Sequence, residues 1–486
     1  MWAMAPRVAL VALVLAHGAS ALADAPAPAA GPARLWSRGQ TTWIYEQPRA
    51  TKNALGYVRL GQSVELRAEA PVKGPGCSGA YHAVQPYGWV CLDRRASLDG
   101  TGRWLRAMSH AAPRAALMPF EFALSNGAPM YRRLPTRAEV ERETASFGKA
   151  GSFKPQSWGN RGHERLAEAK VVDASGALPW FFQNGGSAGE ERPLEALRRQ
   201  IPHGSMLAYS ASFDHEGRRY VLSADGTVVP ADRLRPFRVS EFRGVELGPN
   251  AKLPIAFFRA KARAKYRRAG EAFEPTGQSF AARAWVELDD AAPAAESGGK
   301  RYLATREKSG SDTIWVREDE ATVIRERSAP PIGVAAGSKW LIHSITQGTL
   351  IAYEGTRAVF ATLASPGAGG VPIKGKDPVK MSTTPLGVYR ITFKHRATTM
   401  SPEYGENRKF WIADVPYTQY FNAPFALHTA YWHEDFGEPM SAGCVNVSPR
   451  DGKWLFDWTS PGVPEGWGGA GPGGRHGAGT YVVIAR

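Results

Sequence analysis

Short apolar runs broken by Gly, Pro and Asn set the pattern of this chain and predict strands rather than long helices. In the first hundred residues, apolar and polar positions alternate in five runs, at 42–45, 55–59, 63–67, 81–84 and 88–92. Closely spaced short strands of this kind are typical of a small all-β barrel. We therefore predict a barrel at 35–100.

The end of the chain repeats the strand pattern and adds one helix. Predicted strands lie at 339–344, 349–353, 358–363, 387–393 and 481–484, and Gly-rich loops at 367–370 and 466–479. A helix is predicted to begin at Ser448, because Ser is a favoured cap, Pro449 suits the first turn and Asp451 stands three residues after the cap. Ala329-Pro330-Pro331 marks a boundary before this domain, which we place at 334–486.

The middle of the chain, 101–333, has a weaker pattern and predicts one or two β-rich modules. Helices are predicted at 137–147 and 191–201, and strands at 206–209, 218–223 and 226–229. From 257 to 268, Arg and Lys alternate with Ala, which would place the cations on one side of a strand. Such a strand is either a solvated edge protected by charge or a contact for anionic polymers.

The first residues predict export. Arg7 precedes an apolar run at 8–16, and Ala21-Leu22-Ala23 forms a small-residue cleavage site, so 1–23 reads as a secretory signal and 24–34 as a linker. No later segment is long and apolar enough to span a bilayer, so no transmembrane segment is expected after signal removal. The predicted location is the periplasm or the outside of the cell.

The net charge of the chain limits the classes of binding partner that we expect. The chain has 60 Lys and Arg against 45 Asp and Glu, a net charge of +15. An exported basic protein favours anionic polymers of the cell wall or envelope. Nucleic acid is not expected as a partner, because export and the absence of a nucleic-acid motif argue against it.

The 3 cysteines differ in setting. In an oxidising compartment, Cys77 and Cys91, which flank a predicted strand, are expected to form a disulfide. Cys444 is then left over as a reactive thiol, an intermolecular link or a small buried core residue. Its neighbours Ser441, Ala442 and Gly443 are small and allow a tight turn, which suits an exposed nucleophile.

A thiol needs a base, because only a few per cent of an unassisted thiol is ionised at neutral pH. His428 ends a predicted strand 16 positions before Cys444, and the loop between them is long enough to bring the thiol back to the imidazole. The pair His428 and Cys444 is therefore the candidate catalytic centre.

Two resemblances add to this interpretation. Trp43-Ile44-Tyr45, Leu60–Val64 and Gly88-Trp89-Val90 resemble a bacterial Src-homology-3-like domain, which implies either a wall-binding module or a plain structural barrel. Thr384-Pro385-Leu386-Gly387-Val388-Tyr389, Leu427-His428-Thr429 and Ser441–Ser448 resemble the L,D-transpeptidases, exported cysteine enzymes of peptidoglycan. The implied fold is mainly β, with an L,D-transpeptidase-like β-sandwich or barrel after small Src-homology-3-like barrels.

The second resemblance implies roles. Cys444 would attack the third-residue carbonyl of a peptidoglycan stem peptide, with His428 as base, and no cofactor is implied. Gly443 and Ser441 would shape the motif, and backbone N–H groups at Gly443 and Cys444 would bind the oxyanion. The remaining candidates, all for substrate contact, are Asn446, Tyr420, Trp432 and Thr429.

One difference from the family motif leaves more than one function open. The family usually has His where this chain has Ala442. Its loss is compatible with transfer to an amine, with a hydrolytic variant (a carboxypeptidase or cross-link hydrolase), or with a decayed wall-binding scaffold. A zinc site built from His428, His433 and Cys444 is a further alternative, although the spacing fits no compact zinc motif and no metal is predicted.

Overall fold

The computed structural model describes residues 32–147, 163–174, 176–189, 196–400 and 411–486. The predicted signal at 1–23 and most of the linker lie outside the described residues. Strands dominate the described part, so the predicted mainly β fold class is confirmed. No helix in these ranges is long and apolar enough to cross a membrane.

The first module is a small barrel of short antiparallel strands. Its strands are β1 (Arg34–Ser37), β2 (Thr41–Tyr45), β3 (Gly56–Arg59), β4 (Ser63–Glu65), β5 (Tyr81–Ala83), β6 (Trp89–Cys91) and β7 (Ala96–Ser97). Strand β1 pairs with β4 and β7, and β2 pairs with β3 and β6. Cys77 and Cys91 form a disulfide with their Cα atoms 5.6 Å apart.

The second module combines strands with two helices. Its elements are α1 (Arg103–His110), β8 (Glu121–Ser125), β9 (Pro129–Tyr131), α2 (Arg137–Phe147), β10 (Leu197–Gln200), β11 (Met206–His215), β12 (Arg218–Ser223), β13 (Val228–Pro230) and β14 (Leu234–Pro236). The helix predicted at 137–147 is confirmed. The helix predicted at 191–201 is wrong over its described part, because 197–200 pairs as a strand with β9.

The third module is built from hairpins. Its strands are β15 (Val245–Glu246), β16 (Ile255–Phe257), β17 (Arg263–Ala269), β18 (Ala272–Phe280), β19 (Trp285–Glu287), β20 (Ala295–Ser297), β21 (Lys300–Ser309), β22 (Asp312–Arg317) and β23 (Thr322–Ile324). The cationic strand predicted at 257–268 is confirmed only from Arg263 onwards, because the chain leaves the sheet between Phe257 and Arg263. Lys265 and Arg267 form ion pairs with Glu307 and Glu274.

The C-terminal domain contains strands of two sheets and two helices. Its strands are β24 (Lys339–Ser344), β25 (Thr349–Glu354), β26 (Arg357–Leu363), β27 (Gly387–Arg390), β28 (Phe393–Met400), β29 (Ile412–Asn422), β30 (Phe425–Thr429), β31 (Val445–Val447), β32 (Gly469–Ala470) and β33 (Tyr481–Ala485). Its helices are α3 (Pro378–Met381) and α4 (Pro449–Trp458). The predicted helix start is confirmed, since Ser448 Oγ accepts a hydrogen bond from the Asp451 amide.

A long hairpin, β28–β29, links the C-terminal domain to the first and second modules. Through β32 it continues into β3 of the first barrel, and Ile412 pairs with Met206 of β11. Arg59 of the barrel forms a buried ion pair with Asp414 of the hairpin at 2.5 Å. The first barrel is therefore part of the same continuous sheet as the hairpin.

The first barrel depends on the C-terminal domain for part of its core. Trp467 is fully buried among barrel residues that include Ile44, Val58 and Val90. Its indole N–H donates a hydrogen bond to the Gln85 carbonyl at 3.0 Å. A residue more than 360 positions away in sequence therefore completes this core.

We expect Trp467→Ala to lower the free energy of unfolding of the whole chain by about 3–5 kcal/mol, because it leaves a large cavity in the barrel core. Urea-induced unfolding, monitored through the intrinsic fluorescence of the barrel, measures this change in free energy. Trp458→Ala is the matched control, since Trp458 lies half-buried on the same domain and should cost clearly less. Equal losses for the two variants would contradict the shared core.

Candidate active site

Two adjacent parallel strands place the candidate catalytic residues. Strand β30 pairs with β31 so that His428 lies directly opposite Asn446. Cys444 stands just before β31, two positions ahead of Asn446, and so lies diagonally across from His428. Strand rise and spacing put the two Cα atoms roughly 8 Å apart, within the combined reach of a thiol and an imidazole. The structure therefore places the two residues that the sequence analysis paired on adjacent strands, and their pairing as a catalytic centre stays a prediction.

Cys444 follows a turn that only small residues can form. Ser441 Oγ accepts a hydrogen bond from the Gly443 amide at 3.0 Å and donates one to the Cys444 carbonyl at 2.5 Å. Gly443 has φ +125°, and a Cβ there would lie 2.4 Å from the Phe425 ring. Both the backbone angle and this close approach require glycine at 443. Cys444 itself is half-buried and lies outside the disulfide.

The hydrogen bond of Gly443 corrects one prediction. Its backbone N–H was expected to bind an oxyanion, but it is already directed at Ser441 Oγ within the turn. An amide that is held inside a turn is not aimed at a substrate oxygen. Gly443 and Ser441 therefore shape the loop that presents Cys444.

His428 is a buried, neutral imidazole. Its side chain is 3 % exposed, and burial lowers the pKa of His428 to about 4. Nδ1 lies 3.1 Å from the Thr429 carbonyl, an acceptor, so Nδ1 carries the ring proton. Nε2 is then unprotonated at neutral pH and can accept a proton from a nearby thiol.

Thr429 contributes through its backbone rather than its side chain. It alternates with His428 along β30, so its side chain points to the opposite face of the sheet. There its Oγ1 lies so close to Gly452 of α4 that a Cβ on that glycine would be 2.1 Å away. The predicted substrate contact by the Thr429 side chain is therefore wrong.

His433 and Asn446 form a second buried polar pair beside the first. His433 Nδ1 accepts a hydrogen bond from the Asp435 amide, so the neutral ring carries its proton on Nε2. One end of the Asn446 amide lies 3.1 Å from that Nε2, and the other end is buried without a partner among the described residues. As placed, Nδ2 is the end that faces Nε2 and Oδ1 is the end without a partner, so two donors meet. Turning the amide by half a turn resolves this, because its oxygen then accepts from His433 and its NH₂ group remains to donate to a ligand.

Burial keeps His433 neutral. It lowers the pKa of His433 to about 3, with further lowering from the charges of His163, His428 and Arg165. His163 and Arg165 belong to the second module, and Arg165 forms an ion pair with Asp435. The sequence offered no signal for this contact, because these residues lie far from the motif in the chain.

Trp432 and Tyr420 differ in their access to the site. Trp432 is 3 % exposed and packs with its ring centroid 5.8 Å from that of His428. The Trp432 ring packs against the His428 imidazole. Because Trp432 is buried, its predicted role as a substrate contact is not favoured. Tyr420 is half-buried on β29, directly opposite Ala426 of β30. Tyr420 thus keeps access to a ligand near Cys444.

The acids of this region are engaged elsewhere. Glu434 forms hydrogen-bonded ion pairs with Arg238, at 2.7 Å, and with Arg283, at 3.3 Å. Across the described ranges, no group of three His, Cys, Asp or Glu side chains is arranged to hold a metal ion.

One comparison with known proteins finds a match in the C-terminal part of the chain. Residues 338–483 match the L,D-transpeptidase catalytic domain family, YkuD. No curated protein matches the chain. This match identifies the C-terminal region as a transpeptidase-type catalytic domain and confirms the resemblance noted above. The Src-homology-3-like resemblance of the first barrel stays a prediction.

Solved L,D-transpeptidases are also similar to the chain. That of Xylanimonas cellulosilytica is 26% identical over 32% of this chain and 64% of its own, with a TM-score of 0.22. That of Stackebrandtia nassauensis is 23% identical over 33% of this chain and 59% of its own, with a TM-score of 0.21. One from Mycobacterium smegmatis is 14% identical over 38% of this chain and 91% of its own, with a TM-score of 0.23. The chain thus spans less than two thirds of the first two structures.

The buried His433 predicts how stability depends on pH. The pKa of His433 is about 3 in the folded protein and about 6.5 in the unfolded chain. Between these two pH values the unfolded chain binds a proton at His433 and the folded protein does not. The stability contributed by neutral His433 is complete above about pH 6.5 and is lost as the pH falls towards 3.

We therefore expect His433→Gln to reduce the slope of unfolding free energy against pH by about 1.4 kcal/mol per unit between about pH 6 and 4. Urea unfolding of both proteins at several pH values measures the two slopes. Parallel slopes would show that His433 is protonated in the folded state as readily as in the unfolded one.

Proposed function

We propose that this chain is an exported cysteine L,D-transpeptidase of peptidoglycan. The observation that carries the proposal is the unprotonated Nε2 of His428, which lies on the strand next to Cys444 in a domain that matches the YkuD family. A neutral imidazole beside a thiol is the combination that nucleophilic acyl transfer requires.

The chemistry follows from these positions. The Cys444 thiol gives its proton to His428 Nε2 as the sulfur bonds to the carbonyl carbon of the third stem residue. The bond to the terminal D-Ala breaks, and its amine leaves with the proton from His428. An acceptor amine then attacks the thioester and gives a proton to His428, and the Cys444 sulfur leaves and is reprotonated. No cofactor takes part in these steps.

Asn446 is the best supported substrate contact in this scheme. With its amide oxygen turned towards His433, its NH₂ group is left to donate to a ligand, and it lies on the strand that follows Cys444. The developing negative charge on the attacked carbonyl oxygen is stabilised by a donor that is already oriented. The hydrogen bond to His433 supplies that orientation and offsets the loss of an imidazole at Ala442.

Two other outcomes are distinguished by the acceptor. Water in place of an amine gives a carboxypeptidase or cross-link hydrolase, and a decayed domain gives a basic wall-binding scaffold. The ordered His428 and the oriented Asn446 favour an active enzyme over a scaffold, because an abandoned site has no need to keep buried polar groups paired.

We expect a covalent acyl adduct on Cys444 when the purified chain is incubated with tetrapeptide stems, and mass spectrometry of the intact protein measures it. The added mass should equal a stem that has lost its terminal D-Ala, and an amine acceptor should remove it. Cys444→Ala is the control and should form no adduct. Release of tripeptide without transfer indicates the hydrolase, and no adduct with no tripeptide indicates the scaffold.

We expect His428→Gln to slow adduct formation by about 10²–10⁴-fold, because it removes the proton acceptor. His343→Gln is a matched control, since His343 is equally buried on β24 of the same domain and its pKa is also lowered to about 4 by burial. Stopped-flow or quenched mass spectrometry gives the two rates. If both variants were equally slow, the loss would reflect packing rather than a base.

A further inference from the structure

An open cleft separates the first barrel from the hairpin of the C-terminal domain. Its volume is about 580 Å³. The lining residues come from three segments, namely Trp43, Tyr45 and 51–54 of the barrel, Thr392 and Phe393 before and in β28, and Gly471 and Pro472 after β32. The transpeptidation chemistry described above uses none of these residues.

An exposed tryptophan dominates the cleft. Trp43 is 37% exposed and lies between the buried residues Thr42 and Ile44, so its side chain points out of the barrel. Its ring meets Tyr57 and Phe393 edge-on, at centroid distances of 5.8 and 6.4 Å. A large aromatic ring that adds nothing to the core of its own barrel is typical of a binding surface.

The polar lining restricts the ligand. Thr51, Asn53 and Thr392 offer hydroxyl and amide groups, Lys52 adds one cation, and the described lining holds no acid. A single cation is too little for a polyanion such as nucleic acid. The surface instead fits an almost uncharged ligand that has flat C–H faces for the aromatic ring and hydroxyl or acetamide groups for hydrogen bonds. A chain of N-acetylated sugars has that chemistry.

The cleft and Cys444 lie on one sheet. Phe393 lies directly opposite Tyr420, and Tyr420 lies directly opposite Ala426. The next strand, β31, begins one residue after Cys444. Three strand spacings separate Phe393 from Cys444, a distance of roughly 14 Å.

That distance suits a stem peptide. Three extended residues span at most about 10–11 Å. The linkage from the sugar to the first residue covers the remainder. A sugar held at the Phe393 end of the cleft thus places the carbonyl of the third stem residue at the Cys444 sulfur. The Trp43 ring lies 6.4 Å beyond that of Phe393, where it meets the sugars next to the one that carries the stem.

The aromatic side chains continue from the cleft towards the site. The ring centroid of Phe393 lies 4.7 Å from that of His395, which lies 5.8 Å from that of Tyr420. Tyr57 of the barrel hydrogen-bonds to His395 Nδ1 at 3.0 Å, and Arg59 is ion-paired to Asp414. These contacts fix the barrel on the hairpin, so the distance from the cleft to Cys444 is set by the fold.

We propose that this cleft binds the glycan strand from which the reacting stem peptide extends, and that Trp43 is its main contact. The inference rests on the proposed function for the identity of the polymer, and it adds recognition of the sugar to recognition of the peptide. The first barrel then positions the substrate, because it holds the sugar at a fixed distance from Cys444.

The first test is binding of a soluble N-acetylglucosamine hexamer to the full chain, measured by isothermal titration calorimetry. We expect Trp43→Ala to weaken binding by about tenfold or more, and Asn53→Ala, an exposed change that leaves the core intact, by about threefold. Trp36→Ala is the matched control, because Trp36 lies on β1 of the same barrel outside the cleft. No binding by the unchanged chain, or equal losses for Trp43→Ala and Trp36→Ala, overturns the proposal.

The second test compares adduct formation with a glycan-linked tetrapeptide and with the free tetrapeptide. Trp43→Ala should lower kcat/KM about tenfold for the glycan-linked substrate and leave the free peptide unchanged. Equal loss on both substrates overturns the inference. Because binding and acylation are measured separately, an adduct without Trp43-dependent sugar binding refutes only this inference. Sugar binding without any adduct refutes only the proposed enzyme.

Discussion

The site depends on one hydrogen bond made in a buried setting. His428 donates a hydrogen bond from Nδ1 to the carbonyl of the next residue, Thr429, while burial lowers its pKa to about 4. The ring therefore has one tautomer and one charge state at neutral pH. An unprotonated Nε2 can accept a proton from a thiol, which an imidazolium cannot do. The parallel pairing of β30 with β31 is what holds the two residues side by side.

The surrounding modules stabilise the strands that carry this pair. Helix α4 is fixed at both ends by buried charged side chains that reach other elements. At its start, Asp451 accepts hydrogen bonds from Thr362 Oγ1 and from the Gly244 amide of the preceding region. At its end, Lys394 of β28 donates to the Phe456 and Thr459 carbonyls. Both side chains are fully buried, and this burial raises the pKa of Asp451 to about 6 and lowers that of Lys394 to about 7.

Local sequence signals predicted the features that depend on local chemistry. The cap at Ser448, the strand that ends at His428 and the small-residue turn before Cys444 all follow from residue types at short spacing. The features that these local signals missed depend on tertiary contacts or on backbone hydrogen bonds. Nothing near Trp467 shows that it fills a barrel built from residues 35–92, and nothing near Leu197 shows that its segment pairs with β9.

The same limit applies inside the site. Motif reasoning assigned roles to side chains, whereas the structure gives Thr429 a role through its carbonyl and commits the Gly443 amide to the turn. The pairing of His433 with Asn446 was also beyond prediction, because it requires a loop to fold back over β31. Ala442 looked like a loss in the sequence, but beside this buried pair it is one change in a site that keeps an oriented donor.

The tautomer and charge of His428 are the most direct test of this account. Nitrogen-15 NMR of histidine-labelled protein, with the signal assigned by its loss in His428→Gln, reports which ring nitrogen carries the proton and at what pH the ring becomes charged. The account predicts a proton on Nδ1, a bare Nε2, and a ring that stays neutral down to a pH of about 4. A proton on Nε2, or titration near the ordinary value of about 6.5, would contradict it.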